Sequence, residues 1–367
     1  MLEYITLKNF KCFDTLMIRV SPLTLITGMN GVGKSTLIQS LLVIRQSYVS
    51  RYLQDGYLSL NGELVNLING ASVLYKKAVD DSFEIGIEDS NEKLSFSVDL
   101  IDGDNHLQKI QCIAKDNLSK KINLLNDDFV YLNAERLSPQ KSYKLQNQSE
   151  KNFSRLGNMH GDKAVGILFE SIDKVLELNI SELKSPHTSN TRVGDNVSAW
   201  MGAIMGLKLT AKVEKVSSDE LNLSYTIGES IEENVFSPLN TAFGYSYILP
   251  IIVAVLTAQR NGIILLENPE AHLHPAAQFR LGYFLALAAQ HGIQIVIETH
   301  SDHLMNGIRV ATKENIIDSE NVTIQYFDYK DTIHSAQRIE LDENGGLDRW
   351  PKGFFDEWEK ALDILIE

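Results

Sequence analysis

Residues 23–36 read Leu-Thr-Leu-Ile-Thr-Gly-Met-Asn-Gly-Val-Gly-Lys-Ser-Thr, an apolar run that breaks into glycines before a second apolar segment begins. Within this stretch Gly28, Gly33, Lys34 and Ser35 fit the phosphate-loop pattern G-x-x-x-x-G-K-[ST], between a predicted strand and a predicted helix. Glycines let backbone N–H groups turn toward an anionic phosphate, and the helix start adds its positive dipole end. We expect Lys34 to reach the β- and γ-phosphates and Ser35 to ligate Mg²⁺. The stretch therefore predicts a binding site for a nucleoside triphosphate.

Length and composition predict either one large α/β domain with an inserted subdomain or two domains. The chain has 367 residues, of which 44% are hydrophobic and 22% charged, as is usual for a globular protein. Its net charge of −14 argues against a protein that coats nucleic acid. No apolar run reaches the length of a membrane span, and no targeting segment precedes the first predicted strand. We therefore expect a cytoplasmic protein that does not associate with membranes.

Two further apolar runs predict the other side of the nucleotide site. Residues 263–266 are continuously apolar, as in a strand buried on both faces of a parallel sheet, and Glu267 follows them. A carboxylate at this position holds Mg²⁺ through water, opposite the serine of the loop. Residues 293–297 predict another buried strand, and His300 lies just beyond it, where it could sense the γ-phosphate. A zinc site is an alternative at four histidines, although none has a partner at the i, i+4 spacing of one helix. These are His272, His274, His300 and His303.

The rest of the chain predicts an antiparallel sheet and an inserted subdomain. Short alternating runs between residues 56 and 113 indicate antiparallel strands that flank the nucleotide core. Helical spacing over 163–178 and 197–207, followed by alternation over 209–227, indicates a mixed insertion. The predicted fold class is thus α/β, a P-loop NTPase core with a flanking antiparallel sheet and a mixed helical subdomain. The predicted units are 1–136 and 243–330 for the two parts of the core, 137–242 for the insertion and 331–367 for a small cap.

The stretch from residue 136 to residue 155 is locally basic in an acidic protein. Two interpretations remain open. The stretch could receive phosphates of ATP or of nucleic acid, or it could be a solvated loop, since charge runs usually face water. Its basic residues are Arg136, Lys141, Lys144, Lys151 and Arg155.

The order of motifs along the chain resembles that of a known group of ATPases. Besides the phosphate loop, the motifs are LKNFKCF at 7–13, YLNAER at 131–136, GYSYILP at 244–250, ENPEAHLHP at 267–275, ETHSDH at 298–303 and LDRWPKGFF at 347–355. With these motifs the chain resembles the ABC-type ATPases of the SMC, RecF and OLD group. Within that group it is most similar to the stand-alone AAA family whose members end in a small uncharacterised C-terminal domain.

The resemblance implies a head-to-tail homodimer that closes around ATP and Mg²⁺. In such a dimer Tyr245 and Ser246 contact the partner's ATP, and residues 271–274 cross the interface. His300 would be the switch histidine, and Lys11 would reach the phosphates from the N-terminal hairpin. The expected nucleotide-binding residues are Lys11, Gly28, Asn30, Gly31, Gly33, Lys34, Ser35, Thr36, Tyr245 and Ser246. Ser35 and Glu267 are the expected Mg²⁺ ligands, and the expected catalytic residues are Glu267, Asn268, Glu270 and His300.

Two departures from the family pattern bear on catalysis. The Walker B strand is usually followed by an acid and then by a catalytic glutamate, whereas Glu267 and Asn268 stand here. An amide cannot take a proton from water, and losing a positioned general base slows a reaction by a factor of about 10² to 10⁴. Either Glu270 or a neighbouring residue substitutes, or the protein is a slow, ATP-gated switch. The signature segment also differs from the usual Leu-Ser-Gly-Gly-Gln.

The length of the chain bears on where an effector would lie. The sequence has neither sustained heptads nor enough residues after residue 303 for the nuclease domain of OLD proteins. We therefore expect an ATPase that regulates an effector on another chain, such as a nuclease, in anti-phage or mobile-element defence. The alternatives are a RecF-like DNA-binding repair ATPase and a self-contained metal-dependent nuclease. The aromatic residues of the tail fit either core packing or a docking surface: Trp350, Phe354, Phe355 and Trp358.

Overall fold

The computed structural model describes residues 1–100, 105–112, 122–145, 153–176, 178–228 and 234–366. The strands are β1 (Leu2–Phe10), β2 (Phe13–Arg19), β3 (Leu23–Gly28), β4 (Tyr57–Ser59), β5 (Ser82–Asp89), β6 (Lys93–Asp99), β7 (Leu107–Cys112), β8 (Phe129–Leu132), β9 (Tyr143–Lys144), β10 (Leu209–Lys215), β11 (Glu220–Ile227), β12 (Val235–Phe236), β13 (Ile263–Glu267), β14 (Gln294–Glu298), β15 (Val322–Lys330) and β16 (Ile333–Ile339). The α-helices are α1 (Lys34–Val49), α2 (Gly70–Val73), α3 (Ala164–Ser171), α4 (Val193–Met205), α5 (Phe243–Leu256), α6 (Pro275–Gln290), α7 (Asp302–Lys313) and α8 (Glu357–Ile366).

The nucleotide core is a six-stranded sheet with the order β16-β15-β3-β14-β13-β8. Its strands are parallel except for β16, which returns antiparallel to β15. β13 and β14 are buried at almost every residue, as a parallel sheet covered on both faces requires. The two buried strands predicted at 263–266 and 293–297 are confirmed. Because the strands are parallel, the carboxyl ends of β3, β13 and β14 meet at one edge, where α/β sheets place their ligands.

A second sheet is antiparallel, with the order β2-β1-β5-β6-β7-β4, and it flanks the core as the sequence predicts. The helix α1 is buried around most of its circumference. Leu37, Leu41 and Ile44 of this helix share one hydrophobic cluster with Ile5 and Phe96 of the antiparallel sheet. This packing fixes the helix that begins at the phosphate loop.

The insertion combines helices with a small sheet, in which β10, β11 and β12 are neighbours and β9 pairs with β11. The hairpin predicted over 209–227 is confirmed as β10 and β11. The helix predicted over 163–178 is shorter, because the chain leaves α3 after Ser171 and Val175 forms a bridge with Arg192. The helix predicted over 197–207 begins earlier, at Val193, and ends at Met205. The α/β fold class, with its flanking sheet and mixed subdomain, is confirmed.

The C-terminal segment is joined to the core sheet. The expected boundary between residues 330 and 331 falls inside the hairpin of β15 and β16. Phe354 is 1% exposed and packs edge-on against Tyr326, with ring centroids 5.5 Å apart, whereas Trp350 is 45% exposed. Phe354 therefore packs in the core, one of the two interpretations given for the aromatic residues of the tail. Trp358 lies outside the described side chains. Within the described ranges, no helix combines the length and the apolar character needed to cross a membrane.

Candidate functional site

The phosphate loop lies between the end of β3 and the start of α1. Gly28 has a φ of 139°, and a Cβ there would lie 2.2 Å from the carbonyl oxygen of Phe327 in β15. Gly33 has a φ of 104°, and a Cβ there would lie 2.6 Å from the ring of Phe13. The backbone therefore requires glycine at both motif positions. Since α1 begins at Lys34, the positive end of its dipole lies at the loop.

The side chain of Lys34 crosses the loop. Its Nζ donates hydrogen bonds to the carbonyl oxygens of Gly28, at 3.0 Å, and Met29, at 2.7 Å. Burial lowers the pKa of Lys34, and the nearby charge of Glu298 raises it. Charged phosphate oxygens would be stronger acceptors for this ammonium group than the two neutral carbonyls.

Two glutamates lie side by side at the ends of neighbouring strands. Glu267 of β13 and Glu298 of β14 are register partners in the parallel sheet. The hydroxyl of Ser35 donates to Oε1 of Glu298 at 3.2 Å, and the hydroxyl of Tyr131 donates to Oε1 of Glu267 at 3.0 Å. Burial and the charge of Glu267 raise the pKa of Glu298 to about 7. Burial also raises the pKa of Glu267, against the hydrogen bond from Tyr131.

This group of oxygen atoms fits Mg²⁺. The ion prefers carboxylate and hydroxyl oxygens, and Oε2 of Glu298 is buried without a hydrogen-bond partner. Ser35 and Glu267 would hold the ion, as expected, and Glu298 adds a second carboxylate. The sequence analysis gave Glu298 no role, although a glutamate that closes an apolar run was a visible signal. Across the described residues, no three or more His, Cys, Asp or Glu side chains gather into a metal-binding group, so the four histidines do not form one.

The loop after β13 holds the remaining predicted catalytic residues. Asn268 has a φ of 43°, and its backbone N–H donates to the carbonyl oxygen of Glu298 at 2.8 Å. Oε1 of Glu270 accepts the backbone N–H of His300 at 2.8 Å, whereas Oε2 of Glu270 is buried without a hydrogen-bond partner. Burial and the charge of Lys34 lower the pKa of His300, so its ring is neutral at pH 7. The loop therefore brings an amide, a carboxylate and a neutral imidazole to the edge of the sheet.

Arg136 connects this loop to the signature helix α5. It is 3% exposed, and its guanidinium donates to the backbone carbonyl oxygens of four described residues. These acceptors belong to Tyr247 at 3.2 Å, Asn133 at 3.1 Å, Glu267 at 2.9 Å and Asn268 at 2.6 Å. The side chain thus fixes the backbone of Glu267, the last residue of the Walker B strand, and of Asn268, which follows it. The position of Arg136 in a basic stretch of sequence does not indicate this role.

The basic stretch does not form one exposed patch. Besides Arg136, Arg155 is also engaged within the protein: it is half-buried, pairs with Asp128 and donates to the carbonyl oxygen of Ala254 at 2.6 Å. Lys141 and Lys144 are exposed, and Lys151 lies outside the described residues. Neither interpretation of the stretch, phosphate binding or a solvated loop, holds for its two arginines, since both bond to groups within the protein.

The signature segment forms the first turn of α5. Tyr245 and Ser246 are 7% and 2% exposed, and the ring of Tyr245 packs against Tyr225 with centroids 5.7 Å apart. Their side chains face the interior of this single chain, and their contact with a second chain's nucleotide stays a prediction. Phe243, in contrast, is 55% exposed, and its ring lies 5.8 Å from that of His272. The segment and the residues 271–274 thus present one continuous surface.

A cavity of about 840 Å³ opens over the phosphate loop. This volume suits a nucleotide-sized ligand. Its wall includes Lys11, Asn30, Gly31 and residues 33–36, all expected at the nucleotide. Nζ of Lys11 donates to Oε1 of Gln39 at 2.5 Å, and burial lowers the pKa of Lys11. The sequence analysis missed the opposite wall, which is formed by Tyr75, Lys76, Lys77, Tyr329, Thr332 and His334.

Comparisons with known proteins agree with this geometry. The chain is similar to the crystal structure of an Smc head bound to the C-winged helix domain of ScpA, with 13% identity, a TM-score of 0.55, and coverage of 93% of this chain and 98% of that chain. It is also similar to an Smc head with an extended coiled coil bound to the C-terminal domain of ScpA derived from Pyrococcus furiosus. That match has 12% identity, a TM-score of 0.54, and coverage of 100% of this chain and 99% of that chain. These likenesses show the fold of an ABC-type, SMC-like head.

Family comparisons cover most of the sequence. No curated protein matches the chain. Residues 317–365 match the family described as "Protein of unknown function (DUF3696)". Residues 23–306, which include the phosphate loop, the Walker B strand and His300, match the family described as "AAA domain, putative AbiEii toxin, Type IV TA system". The chain therefore belongs to this AAA domain family.

Proposed function

We propose that this protein binds ATP with Mg²⁺ in the cavity over the phosphate loop and hydrolyses it slowly. One observation carries the proposal: Lys34, Ser35, Glu267 and Glu298 converge at the carboxyl edge of the parallel sheet, beside a cavity of nucleotide size. The Lys34 ammonium and the loop backbone can bind phosphates. The Ser35 hydroxyl and the two glutamate carboxylates can bind a hard divalent cation.

The residues of the site suggest why turnover is slow. Bound Mg²⁺ would supply charge neutralisation at the β- and γ-phosphates. Lys34 adds a second cation, and the neutral ring of His300 can hydrogen-bond a phosphoryl oxygen. Asn268 can orient water but cannot accept its proton. Glu270 has an unpaired carboxylate oxygen beside His300, and we assign it the role of the missing base.

We also propose that two chains close around the nucleotide. Exposed apolar side chains on the signature side support this, since Leu239 and Phe243 are 56% and 55% exposed. His272 extends this surface with a ring beside Phe243. A second copy would cover the surface in a head-to-tail arrangement, as the resemblance to SMC, RecF and OLD proteins implies.

The closed dimer would regulate an effector on another chain, such as a nuclease, in anti-phage or mobile-element defence. The family description, which names a toxin and a type IV toxin–antitoxin system, supports a role of this kind. The matched Smc heads each bind part of ScpA, so heads of this fold carry protein partners. In this chain Ile364, Leu365 and Ile366 of α8 are 76%, 80% and 81% exposed, which gives a partner an apolar surface to cover.

The DNA-repair alternative loses its main support, because the two arginines of the basic stretch bond to groups within the protein. The nuclease alternative gains none from the described residues, where the histidines do not gather into a metal-binding group. Direct assays for DNA binding and for DNA cleavage test the repair alternative and the nuclease alternative.

The test is ATP turnover by the purified protein and by Lys34→Ala, with the mass of each recorded with and without ATP. We expect slow turnover and an ATP-dependent doubling of mass for the unchanged protein, and neither for the variant. Lys313→Ala is a control, since this exposed lysine at the end of α7 lies outside the cavity wall. Equal turnover by the unchanged protein and Lys34→Ala would overturn the proposed function.

A further inference from the structure

The hairpin of β15 and β16 extends past the phosphate loop. β15 pairs in parallel with β3 as far as Phe327, which lies opposite Gly28, and β3 ends there. β15 continues to Lys330 before the chain turns at Asp331 and Thr332. The end of the hairpin therefore lies beside the loop with no strand of the sheet opposite it on that side.

The turn of this hairpin is unusual in its sequence. Asp331 and Thr332 have φ values of 51° and 66°, which match a two-residue turn with both residues left-handed. Glycine or asparagine is normal there, and a β-branched threonine is disfavoured. Nζ of Lys77, from the loop after α2, donates to the hydroxyl of Thr332 at 3.3 Å. The strained residue therefore lies in the cavity wall, where it contacts Lys77 of a different loop.

Three rings lie in a row from the protein interior to the cavity. Phe13 is buried, and its ring centroid is 6.0 Å from that of His334. His334 is the register partner of Tyr329, and their rings lie 4.5 Å apart. Nδ1 of His334 donates to the carbonyl oxygen of Val32 in the phosphate loop at 3.1 Å. Tyr329, the outermost ring, is 52% exposed and lines the cavity.

The cavity thus has two chemically different ends. One end has the loop backbone, Lys34 and Ser35, which suit phosphates. The other has the aromatic ring of Tyr329 and the hydroxyl of Thr332, with Lys76, Lys77 and His334 nearby, whereas the acidic Glu298 lies at the phosphate end. An aromatic ring in the wall of a phosphate site, packed against His334, suits the planar base of the same ligand. Every nucleobase has a flat π-face on which such a ring can stack.

We infer that the tip of this hairpin binds the nucleobase of the nucleoside triphosphate, with Tyr329 as the stacking surface. The inference rests on the proposed function, since it assigns the second end of the proposed nucleotide cavity. Stacking favours the larger face of a purine over that of a pyrimidine, and it distinguishes adenine from guanine weakly. His334 is a positioning residue. Its ring packs against Tyr329 and its Nδ1 bonds to the phosphate loop, whereas Tyr329 is the outermost of the three rings.

The test compares binding of ATP, CTP and inorganic tripolyphosphate in the presence of Mg²⁺, by isothermal titration calorimetry. The proteins are the unchanged chain, Tyr329→Ala, Tyr329→Phe and Ile333→Ala. Ile333 is a matched control, because it is 63% exposed on the same hairpin but is absent from the cavity wall. Tyr329→Phe keeps the ring and loses only the hydroxyl.

We expect Tyr329→Ala to weaken ATP binding about ten-fold, the size of one lost stacking contact. Its affinity for tripolyphosphate should be unchanged, and the preference for ATP over CTP should shrink. Tyr329→Phe and Ile333→Ala should bind all three ligands like the unchanged chain. Unaltered ATP binding by Tyr329→Ala, or equal weakening for ATP and tripolyphosphate, would overturn this inference alone. An unchanged chain that binds neither ATP nor tripolyphosphate would overturn the proposed function and this inference with it.

Discussion

Replacing Glu298 with glutamine removes one of the two carboxylates that adjoin at the ends of β13 and β14. In the folded protein the pKa of Glu298 is raised from 4.5 to about 7, by burial first and by the charge of Glu267 second. The folded state therefore binds more protons than the unfolded state between these pH values. It follows that the free energy of unfolding falls as the pH rises through this window, and the loss is complete above pH 7.

The size of this loss follows from the same pKa. Each unit of difference between the folded and unfolded pKa corresponds to about 1.4 kcal/mol, so Glu298 destabilises the metal-free protein by ~3 kcal/mol at pH 8. Glutamine is close to the protonated glutamic acid in shape, and its carbonyl oxygen can still accept the hydrogen bond from Ser35. Glu298→Gln should therefore resemble the unchanged protein at pH 5, within about 1 kcal/mol, and exceed its stability by ~3 kcal/mol at pH 8.

Urea unfolding in EDTA, at pH 5 and at pH 8, measures both values. Glu63→Gln is the control, because Glu63 is an exposed residue in a loop and its replacement should change neither value. The reasoning would be refuted if Glu298→Gln were no more stable than the unchanged protein at pH 8. An equal gain in the free energy of unfolding at pH 5 and at pH 8 would also refute it, since the gain would then not depend on the protonation of Glu298.

Four further changes have definite expected outcomes. Asn268→Glu should raise ATP turnover, by up to about 10²-fold, in a phosphate-release assay; no gain would show that a base is already in place. Glu270→Gln should lower the turnover that remains, at unchanged ATP affinity, and full activity would exclude Glu270 as the base. Phe243→Asp should prevent the ATP-dependent doubling of mass without weakening ATP binding by the monomer; a dimer of normal stability would contradict the proposed interface. Arg136→Met should lower the free energy of unfolding in urea by about 3 kcal/mol, because backbone carbonyls lose a buried donor; a change below 1 kcal/mol would contradict its bridging role.

The parts of the site that lie in one continuous segment could be predicted from the sequence. The phosphate loop has fixed spacing, and the strand at residues 263–266 is a continuous apolar run of the kind that a doubly covered sheet requires. Both signals are local. The structure placed Lys34, Ser35 and Glu267 at one edge because parallel strands bring their carboxyl ends together.

The parts that depend on distant pairing could not be predicted. Arg136 has the charge of a surface residue, and its partners are backbone carbonyls, which leave no pattern in the sequence. Tyr329 and His334 reach the cavity because β15 pairs with a strand about 300 residues earlier. The burial of the Tyr245 and Ser246 side chains could not be predicted, because a helix start does not reveal which face of the helix is buried.

The position of β15 between β16 and β3 has a consequence for dividing the chain into fragments. The match to the AAA domain family stops at residue 306, before β15, yet all of β3 from Leu23 to Gly28 pairs with β15. A polypeptide cut after residue 306 would keep every phosphate-loop and Walker B residue and would still expose the backbone N–H and C=O groups of β3 as an open sheet edge. Such an edge is a template for strand addition by other molecules, so we expect that fragment to aggregate. Fusion partners and tags are better placed after α8 than at the border between the two families.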